Sequence, residues 1–270
     1  GSGTSLDYGA LSDSTIFNAQ STNGSLSAAF EHRPNSVWSY RINHEWSRYN
    51  ATNIDLAAFS FQNSLMDGQQ NAGSFQNDFY FGRHRILAGL DWRLESINYA
   101  DSWAPVTGSN SALGGSFAQW MADLDPLTLC ASARLEGDGL RVPVGTFHLS
   151  AAWQHVSGFR ISASGGTGFK APTLYQRYLP MYGNPALLPE NSISFDATVG
   201  YIRTNAFRLG ATYFHQVFTN QIDFLMLGYI NSASTRMQGV EFEAHVSPDP
   251  RWSAGLTYTF LDARDSVTGL

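Results

Sequence analysis

Apolar and polar side chains alternate along many segments of this chain, and this pattern limits the available folds more than any other feature. In segment 252–261, Trp252, Leu256 and Tyr258 alternate with small polar residues such as Thr257. The pattern recurs in segments 37–49, 85–98, 145–155, 192–201 and 229–246. A period of two is typical of a strand with one apolar and one polar face. We therefore predict an all-β protein.

About twelve strands are predicted in total. Several reach the roughly 9–11 residues that a tilted strand needs to cross a bilayer, against a usual strand length of about 5–6. The predicted strands are 25–32, 37–49, 75–81, 85–98, 115–123, 127–136, 145–155, 159–168, 192–201, 207–222, 229–246 and 252–261.

The connections between these strands alternate in length. Short turns are predicted at 33–36, 82–84, 125–126, 156–158, 203–205 and 247–250, and longer links at about 50–74, 99–114, 137–144, 169–191 and 223–228. An outer-membrane barrel has short periplasmic turns and long external loops, whereas a soluble β-sandwich has no reason for such alternation. The link 169–191 is thus predicted to be external, and a soluble β-sandwich or propeller is the alternative.

Composition narrows the function classes. Charged residues make up 14% of the chain and the net charge is −6, which argues against a nucleic-acid partner. Cys130 is the sole cysteine, so neither an intrachain disulfide nor a thiolate metal cage is expected. No sequence motif of a hydrolase, zinc protease or phosphate-binding loop is present. We predict no enzymatic activity, no metal site and no cofactor.

Two further sets of residues follow from the strand assignment. Aromatic residues near predicted strand ends suggest belts at the membrane interfaces, with packing in a β-core as the alternative: Trp38, Trp46, Tyr49, Tyr80, Tyr99, Trp103, Trp120 and Trp252. Charged residues on the polar faces are predicted to line a lumen and to pair with one another or with a plug, with cargo contact as the alternative: Arg41, Glu45, Asp91, Arg93, Glu95, Arg134, Glu136, Asp196, Arg208, Glu241 and Glu243.

The link 169–191 carries two sequence boxes. The first is Phe169, Lys170, Ala171 and Pro172, and the second, 184–190, includes Asn184, Pro185, Leu187, Pro189 and Glu190. Together they resemble the FxAP…NPxLxPE signature of TonB-dependent outer-membrane receptors, and order, spacing and flanking strands all agree. Proline fixes φ and restricts the residue before it, so a purely structural role for the boxes is the alternative.

The resemblance implies a fold. Family members have a plug and a barrel of about twenty-two strands, whereas this sequence has about twelve predicted strands and no plug-like segment. Residues 1–270 are thus expected to be an internal fragment of an antiparallel transmembrane β-barrel.

The resemblance also implies a function and a location. A member of this family would bind and import a scarce metal chelate, such as a ferric siderophore or a cobalamin, across the bacterial outer membrane. Its partners would be outer-membrane lipid, the cargo, and the TonB complex through segments absent from this chain. Segment 152–265 is most similar to the cobalamin receptor, with siderophore receptors next. A passive porin-like or adhesin barrel and an outer-membrane hydrolase are alternatives.

The residues between the two boxes are the candidate binding site. Aromatic rings with an arginine suit a large chelate that is partly apolar or anionic, and packing against neighbouring loops is the alternative. The predicted substrate-binding residues are Tyr175, Gln176, Arg177, Tyr178, Tyr182 and Asn184.

Overall fold

A computed structural model describes residues 2–3, 17–55, 63–102, 107–138, 142–203, 206–225, 227–249 and 251–265. These residues form one antiparallel sheet in which each strand pairs with its neighbours in sequence. The strands are β1 (Ser2–Gly3), β2 (Phe17–His32), β3 (Trp38–Asp55), β4 (Ser64–Phe81), β5 (His84–Asp101), β6 (Thr107–Asp123), β7 (Leu127–Gly137), β8 (Val144–Gln154), β9 (Phe159–Lys170), β10 (Glu190–Arg203), β11 (Phe207–Leu225), β12 (Gly228–Asp249) and β13 (Trp252–Asp265). A short helix, α1 (Leu174–Tyr178), lies between β9 and β10.

All twelve predicted strands are confirmed as β2 to β13, and β1 is a two-residue addition. The predicted long links at 50–74, 99–114 and 223–228 are wrong, because β3, β4, β5, β6, β11 and β12 extend far into them. Asn53 pairs with Ser64, for example, at the end of the β3–β4 ladder. The extensions of β3, β4 and β6 are rich in Asn, Ser and Gly and lack apolar alternation, so backbone pairing continues there where the side chains carry no periodic signal.

Connection lengths still differ between the two ends of the sheet. At the short-turn end, the strands are joined by 33–37, 82–83, 124–126, 155–158, 204–206 and 250–251. At the opposite end, which we call the long-loop end, the joins are 56–63, 102–106, 138–143, 171–189 and 226–227. The last join is short, so the predicted alternation fails at that point, where β11 and β12 run on as a long hairpin.

The two faces of the sheet differ in chemistry. We call the face that bears Asp91 and Arg134 the inner face, and the face that bears Leu90 and Trp92 the outer face. Large apolar side chains on the outer face are exposed, with relative accessibilities of 72% for Trp252 and 69% for Leu256. Among the described residues, the buried apolar side chains are only Ala122, Leu174 and Leu187. A soluble sandwich would bury its apolar face, whereas this sheet presents it outward, as a membrane barrel does.

The predicted aromatic belt is correct in part. Strand register places the indoles of Trp38, Trp46, Trp120 and Trp252 on the outer face. The assignment of Tyr49, Tyr80 and Tyr99 to the belt is wrong, because register places them on the inner face, away from lipid. Their position near strand ends was visible in the sequence, but alternation fades there and no longer indicates which face they occupy. Trp103 lies outside the described residues.

No helix within the described ranges has the length and hydropathy needed to cross a membrane.

Candidate functional site

Residues 171–189, which we call the inner segment, begin with a capped helix. The Thr173 hydroxyl accepts a hydrogen bond from the Gln176 backbone N–H at 3.1 Å, and the Thr173 N–H donates to the Gln176 side chain at 2.9 Å. This reciprocal capping box starts α1. Gln176, predicted to bind substrate, thus uses its side-chain carbonyl within the cap. The Thr-x-x-Gln spacing was a sequence signal for this helix, which the strand-based reading missed.

Asn184 holds the turn after the helix in place. Its backbone N–H donates to the Gln176 carbonyl at 3.0 Å, and its side-chain oxygen accepts from the Ala186 N–H at 3.0 Å. Its side-chain amide also donates to the Tyr229 carbonyl on β12 at 3.0 Å. Leu187 is fully buried nearby. These contacts favour a structural role for Asn184 and Leu187 in the second box.

The β11–β12 hairpin holds the inner segment from the side. The Tyr229 N–H donates to the Tyr182 carbonyl at 3.0 Å. Gly228 has a φ of +140°, and a Cβ at this position would lie 2.6 Å from the Tyr182 oxygen, so a side chain is excluded on both grounds. Asn231 adds two bonds to Leu188, accepting from its N–H at 2.8 Å and donating to its carbonyl at 3.0 Å.

An ion pair closes the base of the segment. Lys170 Nζ lies 3.3 Å from Glu190 Oε2, and Glu190 Oε1 accepts from the Ile222 N–H at 2.9 Å. Lys170 and Glu190 are also directly paired across β9 and β10. This ion pair joins the first box, at the start of the segment, to the second box, at its end. Together the two boxes fix where the chain enters and leaves the segment.

The inner segment lies over the inner face and bounds a cavity of about 1140 Å³. Side chains from β3 to β9 line this cavity, which shows that the inner face is concave. From the first box and the second, Phe169, Lys170, Ala171, Pro172 and Pro189 also line it. Of the six predicted binding residues, Tyr175 and Arg177 are among the lining residues. Binding of a substrate by any of the six stays a prediction.

Tyr175 belongs to an aromatic cluster at the long-loop end. Its ring lies 5.6 Å from Tyr99 and 6.3 Å from Tyr229, both edge-on. Phe224 joins Tyr229 to Tyr182, with centroid distances of 5.1 and 5.5 Å. Burial raises the pKa of the Tyr175 hydroxyl, and Tyr229 raises it further, so this hydroxyl remains a hydrogen-bond donor. Sequence reasoning missed Tyr99 and Tyr229 as neighbours, since they lie on strands remote from the boxes.

Tyr178 and Tyr182 are less enclosed than Tyr175. Their exposed fractions are 38% and 40%. The Arg177 guanidinium lies 5.2 Å from the centre of the Tyr178 ring, within the range of a cation–π interaction. Tyr178 therefore helps to hold the arginine.

Ion pairs connect charged side chains of β5 and β7 on the inner face, which forms the wall of the cavity. Arg134 Nη1 lies 2.5 Å from Asp91 Oδ2, and the same guanidinium pairs with Glu136. Arg93 Nε lies 3.2 Å from Glu95 Oε1. The predicted pairing of inner-face charges is confirmed for these five residues.

The other predicted inner-face charges have different surroundings. Arg41 pairs with Glu31 at 2.5 Å, and Asp196 accepts a hydrogen bond from the Ser164 hydroxyl at 2.6 Å. Glu45 lines a second cavity of about 510 Å³ beside the ion pairs. Register places three more on the inner face of β11 and β12, as predicted: Arg208, Glu241 and Glu243.

The site is thus a half-open cavity lined by tyrosine and arginine side chains of the inner segment and by paired charges of the sheet. Aromatic faces and guanidinium groups bind flat or anionic ligands. Among the described residues, no group of three or more His, Cys, Asp or Glu side chains has the spacing to hold a metal ion.

Solved structures resemble this fold. The copper transporter OprC superposes with a TM-score of 0.76 at 12% identity, covering 94% of this chain and 48% of that one. The FrpB iron transporter from Neisseria meningitidis gives 0.73 at 12% identity, with 92% and 44% covered. The ferric yersiniabactin uptake receptor FyuA from Yersinia pestis gives 0.67 at 15% identity, with 93% and 43% covered. The chain spans about half the length of these proteins.

The identities to these solved structures are too low to assign the chain to a family. A family model gives that assignment. The model described as TonB dependent receptor-like, beta-barrel matches residues 1–270. Members of this family are outer-membrane β-barrel proteins of Gram-negative bacteria, and the family and its structural neighbours are receptors and transporters. The outward apolar face, the sequential antiparallel sheet and this match agree, and the chain belongs to the TonB-dependent receptor family, of which it matches the β-barrel.

Proposed function

We propose that this chain is part of an active outer-membrane transporter that binds a scarce metal chelate, such as a ferric siderophore or a cobalamin, and imports it. The observation that carries the proposal is the inner segment, which is fixed over the concave face and encloses a cavity with it.

Cavity size supports a large ligand. Small-molecule sites usually occupy about 300–1,000 Å³, and the cavity beneath the inner segment measures about 1140 Å³. Its lining combines Tyr175 and Arg177 with the ion pairs of Arg93 and Arg134. A chelate with aromatic and anionic groups matches this lining.

The orientation follows from the two ends of the sheet. In outer-membrane barrels the longer connections are external, so the long-loop end, including the inner segment, faces outside. Outer-face residues such as Leu256 contact lipid. Energy for transport is supplied by the TonB complex.

Uptake by living cells tests the proposal. We would delete the gene in its native bacterium and measure accumulation of radioactive iron supplied as a panel of ferric siderophores, and of radioactive cobalt in cobalamin. The expected result is that uptake of at least one of these falls to background, both in this strain and in a strain that lacks TonB.

A passive barrel gives the opposite pattern. Uptake would then rise linearly with concentration and would not depend on TonB. That outcome would replace active transport with the porin-like alternative. No change in uptake of any chelate after deletion would contradict the proposal directly.

A further inference from the structure

Arg177 differs from the other cationic side chains that line the large cavity. Arg93 pairs with Glu95, Arg134 pairs with two carboxylates, and Lys170 pairs with Glu190. Within the described part of the chain, Arg177 has no carboxylate within ion-pair distance. Among the described residues that line the cavity, Arg177 is therefore the cationic side chain whose charge no carboxylate of the protein matches.

The same side chain has an unused donor. The Nε atom of Arg177 is buried and has no hydrogen-bond partner among the described residues. Arg93 Nε is likewise without a hydrogen bond, but it lies 3.2 Å from a carboxylate oxygen of Glu95. Buried donors are almost always paired, and one left unpaired calls for an explanation such as an absent ion or ligand. A bound anion that accepts a hydrogen bond from Arg177 would account for both the unpaired positive charge and the unpaired N–H.

The surroundings hold the guanidinium ready for such an acceptor. Tyr178 stacks beneath it at 5.2 Å from the ring centre. The capping box formed by Thr173 and Gln176 fixes the helix that bears it. Tyr175, two residues earlier, lines the same cavity and has a hydroxyl that can donate. Ordering these groups before binding reduces the entropy that association would otherwise lose.

We infer that Arg177 binds an oxyanion of the cargo, of the carboxylate type, within the cavity beneath the inner segment. This inference rests on the proposed function and names the chemical class of its ligand. The planar guanidinium offers two parallel N–H donors to a carboxylate, which a lysine cannot do. The cargo would therefore be an anionic chelate, and a neutral one would not use this contact.

Calorimetry on the purified full receptor tests the inference with citrate, ferric citrate and cyanocobalamin as probes. We expect Arg177→Gln to weaken binding of citrate and ferric citrate at least tenfold, and Arg177→Lys to fall between it and the wild type. Arg48→Gln is the matched control, because it removes the same guanidinium charge from a side chain that pairs with Asp67 at 3.0 Å and does not line the cavity. It should change affinity less than threefold.

Chemical modification gives a second measurement that needs no variant to fold. Phenylglyoxal reacts with exposed guanidinium groups, and mass spectrometry can follow its rate at Arg177. Citrate should slow this reaction at Arg177 in the wild-type receptor and leave the rate at Arg48 unchanged, since Arg48 already pairs with Asp67 at 3.0 Å.

The outcomes separate this inference from the proposed function. Equal losses in Arg177→Gln and Arg48→Gln, or no protection of Arg177 by citrate, would overturn the inference even if chelates are imported. Protection of Arg177 with no chelate uptake by cells would support the oxyanion site and contradict the transport proposal.

Discussion

A single glycine makes room for the ion pairs of the cavity wall. Register places Gly115 of β6 between Asp91 on β5 and Glu136 on β7. The Arg134 guanidinium crosses above it, and a Cβ at this position would lie 2.5 Å from Arg134 Nη2 and 2.9 Å from Asp91 Oδ1. Even one methyl group would push the paired charges apart.

We therefore expect Gly115→Ala to destabilise the full receptor by about 1–2 kcal/mol, the scale of a weakened hydrogen bond between buried groups. Gly114→Ala is the control, because the neighbouring position is on the outer face and has nothing within 4 Å of an added Cβ. Urea unfolding in lipid would compare the two. Equal unfolding midpoints for the two variants would mean that the ion pairs of Arg134 do not require a glycine at position 115.

The sequence predicted which face of the sheet each of these charged residues occupies. It did not predict their ion-pair partners. Alternation alone places Asp91 and Arg134 on the polar side of their strands. Which acid each arginine contacts depends on strand register, and register is set by cross-strand packing that a single sequence does not reveal. For the same reason, the need for glycine at position 115 was invisible before the strands were aligned.

At the scale of one strand, β13 gives the sharpest test of the two faces. Leu256 is on the outer face and 69% exposed, whereas the adjacent Thr257 is on the inner face opposite Glu243. Leu256→Arg should cost about 2–4 kcal/mol near the bilayer midplane, because the charge would meet hydrocarbon. Thr257→Arg should cost much less, since it would face the wet lumen and a carboxylate.

Unfolding of the full-length barrel from lipid measures both variants on one scale. Comparable losses would mean that the two faces are wrongly assigned. Strong destabilisation by Thr257→Arg, with no effect of Leu256→Arg, would mean that the inner and outer faces of β13 are interchanged.

Elements were predicted well where hydrophobic periodicity is strong and poorly where it fades. All twelve long strands follow from alternation, because each must present one face to apolar surroundings. The ends of β3, β4 and β6 at the long-loop end were missed, since polar and small side chains on both faces carry no period. Helix α1 was missed because its five residues are too few for a helical period, although Thr173 and Gln176 marked its start.

At the scale of the whole molecule, the sheet provides a concave wall and the inner segment closes it. The two sequence boxes fix the segment at its ends, and the β11–β12 hairpin holds its middle. Of the three tyrosines between the boxes, Tyr175 lines the cavity, while Tyr182 packs against Phe224. The tyrosines between the boxes are alike in sequence, so only the folded segment distinguishes their positions.

The most direct test of cargo binding at this cavity is the affinity of the purified full receptor for its imported chelate when Tyr175 is replaced by alanine. Truncating an interface anchor often costs about 2 kcal/mol, so we predict a loss of roughly thirtyfold in affinity. Tyr213→Ala is the control, because Tyr213 lies on the outer face of β11. It should bind as the wild type does. Unchanged affinity in Tyr175→Ala, with the barrel correctly assembled, would contradict binding beneath the inner segment.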